Sequence, residues 1–93
     1  MQSKNYKTKK AELRAKYLNS TVFKVMVEVI DWLEQQGYEG VITDTVSTKE
    51  EDNKLGRVSS SHREGRAFDV RTNGLPRVVI NELIEHFIIL SLS

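Results

Sequence analysis

The sequence predicts an α+β domain in which helices pack on one face of a small, mostly antiparallel sheet. Three observations carry that expectation. Apolar residues recur at three- and four-residue steps in two separated segments, as an amphipathic helix requires. Two short runs between those segments, at 40–45 and 67–72, have the β-branched and apolar character of strands. The chain of 93 residues, 39% hydrophobic and 29% charged, has the length and composition of one globular domain.

Residues 6–18 predict a weaker first helix with Leu13 and Tyr17 on one side. From 21 to 36, Val22, Val25, Met26, Val29, Ile30 and Leu33 fall on one stripe, with Trp32 at its edge. Ser20 or Thr21 is placed to cap that helix, and Gly37 to end it. Strand 40–45 follows. Thr48, with Glu51 three residues later, forms a capping-box pattern that opens a short helix to Leu55, closed by Gly56. Residues 57–66 are polar, have no period and read as a loop. After strand 67–72, Asn73-Gly74 signals a turn, and Pro76 suits the first turn of a last helix. That helix carries Val79, Ile80, Leu83, Ile84 and Phe87 inward. The final stretch, 88–93, is apolar and uncapped.

Composition excludes several classes. With no cysteine there is no disulfide scaffold, thiolate metal site or cysteine nucleophile. The longest apolar run, 87–90, is far too short to span a bilayer, and no secretory signal is visible, so a cytoplasmic location is expected. The net charge of +1 hides an asymmetry: residues 1–20 carry six basic groups against Glu12 alone, and residues 21–93 hold the acidic excess. The expected division is therefore a basic segment, 1–20, ahead of a domain at 21–93. Such an arm can hold nucleic-acid phosphates. Tyr6 and Tyr17 are its only aromatics, too few for a stacking platform, so a solvated segment is the simpler reading and nucleic-acid binding an alternative.

The stretch that carries chemistry is Ser60-Ser61-His62-Arg63-Glu64-Gly65-Arg66-Ala67-Phe68-Asp69. His62 offers an imidazole nitrogen and Asp69 a carboxylate oxygen, both acceptable zinc ligands. If the chain reverses at Gly65-Arg66, position 62 faces 69 and the two side chains share one face, near enough to grip one ion. Alternation then sends Phe68 and Val70 to the opposite face, toward a core. Spacing alone leaves the plainer reading open, in which both are polar loop residues.

Ser60-x-His62-x-x-Gly65-x-Ala67-x-Asp69 resembles, at all five fixed positions, the motif of the zinc D-Ala-D-Ala carboxypeptidase family, which includes phage endolysin peptidases and is related in fold to hedgehog signalling domains. The likeness covers about residues 22–87. It implies a hedgehog-like fold, a Zn2+ cofactor held by His62 and Asp69, and hydrolysis of a peptidoglycan peptide near a D-amino acid. It places Ser60, Arg63 and Arg66 near the substrate, and implies a cytoplasmic protein until it is released to the cell wall.

Family members add a third ligand, a His on a later strand, and a Glu shortly before it as general base. Here His86, preceded by Glu85, is the sole remaining histidine, although a Glu82–His86 pair on a helix surface is the simpler explanation. The family often has an Arg ahead of the motif where Ser47 stands; Arg57 and Arg63 are the nearest candidates. Twenty-four residues follow Asp69, fewer than the family's third-ligand strand needs, so the expectation is a shortened domain that lacks the third zinc ligand and general base and hence full activity, with an unpaired sheet edge and a tendency to self-associate. The alternative is a non-catalytic phage-derived structural or binding module.

Overall fold

The computed structural model describes residues 1–87; the apolar tail singled out in the sequence lies outside them. Among the described residues the chain is α+β, with four α-helices and one two-stranded antiparallel sheet. In chain order the elements are α1 (Lys9–Arg14), α2 (Ser20–Gln35), β1 (Ile42–Asp44), α3 (Lys49–Lys54), β2 (Asp69–Val70) and α4 (Arg77–Phe87).

The stripe on α2 does what its spacing requires: Met26, Val29, Ile30 and Leu33 are fully buried. Its cap is Asn19 rather than Ser20 or Thr21, because the Asn19 carboxamide oxygen accepts the Thr21 N–H at 2.9 Å. Its end is a Schellman motif. Gly37 takes a φ of +88°, and the N–H groups of Gly37 and Tyr38 donate to the carbonyls of Glu34 and Leu33. Helix α4 packs on α2 through buried Val79 and Leu83. Ile84, expected inward, is 40% exposed, since one residue beyond Leu83 turns the side chain about 100° around the helix. Ile42 and Val70 meet the same apolar cluster, so α2 and α4 cover one face of the sheet.

The basic segment is not a free arm. A 3-10 turn at Ala15–Tyr17 follows α1, so no single helix runs over 6–18, and the residues buried are Ala11, Ala15 and Leu18 rather than Leu13 and Tyr17, which are exposed. Alanines four apart let α1 lie close against its neighbours. The Asn5 side chain, 1% exposed, donates to the Gly40 carbonyl, and the Thr45 hydroxyl donates to the Ala11 carbonyl. Lys10 and Arg14 pair with Glu51 at the start of α3. Residues 1–20 thus pack against the rest of the chain.

β1 is flanked on both sides. Its Val41 carbonyl accepts the Arg71 N–H on the β2 side, and the Ile42 carbonyl accepts the Lys7 N–H on the other, where Tyr6 bridges in parallel. The edge of β1 facing away from β2 is therefore partly covered by the chain's own amino-terminal segment. No helix of the described residues is long and apolar enough to cross a membrane.

Candidate metal centre

The pairing of β1 with β2 sets the site. Ile42 lies opposite Val70, and a regular antiparallel ladder would then place Thr43 opposite Asp69 and Asp44 opposite Phe68. The register instead shifts between Ile42 and Asp44, so that Asp44 stands opposite Asp69. A bulge of this kind adds one residue to a strand and re-aims the next side chain. Its effect here is to take Asp44 off the apolar face shared by Ile42 and Val70 and set it beside Asp69.

His62 arrives by a different route from the expected hairpin. Residues 61–65 form a hydrogen-bonded turn: the Glu64 N–H donates to the Ser60 carbonyl, Gly65 to His62, and Arg66 to Ser61. Position 62 therefore does not face 69 across two strands; the turn lifts the imidazole over the sheet. Gly65 closes it with a φ of +72°. The Gly65 carbonyl also accepts the Asn19 N–H, and a Cβ there would stand 2.5 Å from the Tyr17 carbonyl oxygen. Both the backbone angle and the close approach require glycine.

The outcome is a cluster of Asp44, His62 and Asp69 whose ligand atoms all lie within 4.8 Å of one another, an arrangement that can hold a metal ion. His62 is buried, and both its ring nitrogens face acceptors. Nδ1 lies 2.6 Å from the Thr45 carbonyl oxygen and Nε2 lies 3.2 Å from Asp69 Oδ1. A carbonyl only accepts, so Nδ1 carries the hydrogen, and Nε2 turns its other position toward a carboxylate. That geometry needs a positive centre between Nε2 and Asp69: a proton or a metal ion. The Asp69 carboxylate accordingly holds the His62 pKa above its ordinary 6.5; burial opposes this, and the Thr45 carbonyl adds to it. A histidine fixed through one nitrogen by a carbonyl is also the usual outer support of a metal ligand. The residues present fit a divalent cation.

A fourth side chain, Arg57, completes the cluster. Its Nη2 donates to Asp44 Oδ2 at 2.8 Å and Asp69 Oδ2 at 3.0 Å, and Nη1 donates to Asp52 Oδ1 at 3.2 Å. Asp52 projects from α3 and is 2% exposed. The Ser47 hydroxyl donates to Asp52 Oδ1 at 2.5 Å and lowers its pKa, with Arg57 and Arg63 acting the same way. Asp52 Oδ2 has Arg63 Nε at 3.4 Å, close enough for charge attraction but without hydrogen-bond alignment.

The other sequence candidates fall elsewhere. Ser60 donates to Glu64, and Glu64 also receives Arg66, so Ser60 and Arg66 are joined to each other through Glu64. Arg63 reaches Asp52. His86, the expected third ligand, does not join His62 and Asp69, and neither does Glu85; Asp44 takes that place. Both side chains are exposed near the end of α4, where the His86 ring lies 5.8 Å from Trp32 and 5.7 Å from Phe87. Asp44 escaped the sequence argument because strict alternation puts it on the Ile42 side, and only the bulge reverses that. Comparison with protein-family models, curated proteins and solved structures finds no match to the chain.

Proposed function

We propose that the chain is a metal-dependent hydrolase domain of the zinc D-Ala-D-Ala carboxypeptidase kind, acting on a peptidoglycan peptide near a D-amino acid, with His62, Asp69 and Asp44 as ligands. The observation that carries this reading is the juxtaposition of His62 Nε2 with two carboxylates from paired strands, with Nδ1 already committed to Thr45. Three protein ligands of nitrogen and oxygen type leave a fourth tetrahedral position for water. Bound zinc would bring the pKa of that water to roughly 7 and so supply hydroxide at neutral pH. The chain's own part is to hold the ligands: Thr45 fixes the imidazole tautomer, the bulge aims Asp44, and Gly65 sets the turn. Ser60, Arg63 and Arg66, on the turn that carries His62, are the proposed substrate contacts. The motif Ser60-x-His62-x-x-Gly65-x-Ala67-x-Asp69 supports the substrate class.

Two observations favour a second reading, a non-catalytic module that keeps this architecture: Arg57 already neutralises both carboxylates, and among the described residues no glutamate belongs to the cluster to act as base.

Calorimetric zinc titration with elemental analysis, followed by hydrolysis assays on a peptide ending in D-Ala-D-Ala, tests the proposal. One zinc per chain is expected, with binding lost in His62→Ala and Asp69→Asn and weakened in Asp44→Asn. Zinc binding with turnover supports the hydrolase, and zinc binding without turnover supports the module. Absence of stoichiometric zinc in the folded wild type sinks the metal assignment.

A further inference from the structure

The Arg57 guanidinium bridges the same two carboxylates, Asp44 and Asp69, that would hold a cation. Its Nη2 hydrogen-bonds one oxygen of each carboxylate, at 2.8 and 3.0 Å, and the side chain is only 20% exposed. Both ends of the residue are tied to Asp52: the Arg57 N–H donates to the Asp52 carbonyl at 2.9 Å, and Nη1 donates to the Asp52 carboxylate. Asp52 is itself held by Ser47 and faced by Arg63, so it stays in place whatever happens at the sheet. A divalent ion held by Asp44 and Asp69 would draw charge from the same two carboxylates that Nη2 bonds through their Oδ2 atoms, and would repel the guanidinium at short range.

We propose that Arg57 is the resident counter-cation of this centre and competes directly with the metal ion, so that loading the site expels Nη2 from Asp44 and Asp69 while Asp52 keeps its hold on Nη1. This rests on the metal reading given above. Arg57 sets the affinity of the site: it prevents two carboxylates from facing each other uncompensated, and it holds back ions that bind too weakly to displace a guanidinium. Asp52 is its positioning residue, the post on which Arg57 pivots. The local sequence suits that task, because Asp52 in α3 and Arg57 just past the Gly56 turn are brought together by the helix end itself.

The test is calorimetric titration of the full-length chain with zinc chloride, comparing wild type, Arg57→Gln and Arg57→Lys, each first checked for a cooperative thermal transition. Arg57→Gln is expected to bind zinc about tenfold more tightly, the scale on which groups just outside a metal's ligands act. Arg57→Lys, which keeps the charge but not the planar fork that spans Asp44, Asp69 and Asp52, is expected to fall between wild type and Arg57→Gln. A second readout needs no variant. In wild-type protein, the 15N resonances of the Arg57 side chain report restricted rotation while the guanidinium is paired, and zinc is expected to release that restriction. Zinc binding to wild type with unchanged or weaker affinity in Arg57→Gln, or with the Arg57 resonances unmoved, overturns the competition and leaves the metal reading standing. Zinc binding to neither wild type nor Arg57→Gln overturns both.

Discussion

Gly65 and His62 show how much of this site depends on single residues. At Gly65, a side chain would have to adopt a φ of +72° and at the same time enter the space of the Tyr17 carbonyl, whose oxygen is backbone and cannot rotate away. Gly65→Ala is therefore expected to destabilise the fold by at least about 1–3 kcal/mol, measured as a lower urea midpoint, whereas Gly56→Ala, with open space at its Cβ, bears only the backbone penalty. Equal midpoint shifts in the two variants would remove the close-packing argument. At His62 the raised pKa links protonation to folding. The stabilisation from the imidazolium–Asp69 pair is fully present below the unfolded pKa of about 6.5 and is lost as pH rises through the higher folded value. Metal-free protein is thus expected to lose thermal stability from pH 6.5 upward, and His62→Gln to abolish that dependence. Zinc, which needs the unprotonated Nε2, should bind more tightly over the same rise. A metal-free melting temperature that is flat across this range in wild type would contradict the geometry at Nε2.

Among the elements, α3 matters more than its six residues suggest, because it brings Asp52 to the polar face of the sheet and Glu51 to the amino-terminal segment. Glu51 receives Lys10 and Arg14 and closes the capping box with Thr48; Lys10 is the largest influence, and together they bring its pKa to about 2. A depressed carboxyl stabilises above its unfolded value of about 4.5, and that contribution disappears as pH falls through about 2. Urea unfolding followed from pH 6 to pH 2 should show a shallower acid loss in Glu51→Gln than in wild type; identical acid limbs would mean that these pairs are screened away. The capping box, the stripe on α2 and the glycine stops were legible in the sequence because each is a local pattern whose physics is complete within a few residues. So was the meeting of His62 with Asp69, though the imagined hairpin is in fact a helical turn above a strand. What could not be read was Asp44. Its place follows from pairing with a strand twenty-five residues later and from one extra residue in β1, and nothing near Thr43 announces a bulge. In the sequence Arg57 stands out only as one of two basic candidates, since its pairing depends on three carboxylates that converge only in the folded chain.

At the level of the whole molecule, the charge asymmetry suggests a basic tail on an acidic domain, but the fold joins the two. Residues 1–19 supply buried Asn5, Ala11, Ala15 and Leu18, pair with the side of β1 away from β2 at Ile42, and receive the turn that carries His62 where the Asn19 N–H meets the Gly65 carbonyl. Three of the segment's basic groups, Lys9, Lys10 and Arg14, already have carboxylate partners within the chain. Removing residues 2–18 would uncover the edge of β1 that Tyr6 and Lys7 flank and strip Ala15 and Leu18 from the apolar cluster, and it would also take away the surface against which Gly65 is packed. A small domain has little margin to absorb the loss of this packing and of the hydrogen bonds made by the segment. The truncated chain is therefore expected to lose its cooperative thermal transition and its zinc binding together. A phosphate-binding arm predicts the opposite: a truncated domain that melts as before and loses only a salt-sensitive affinity for nucleic acid. Circular-dichroism melts of the two chains distinguish these outcomes, and an unchanged transition after truncation would show that the amino-terminal contacts do not support the fold.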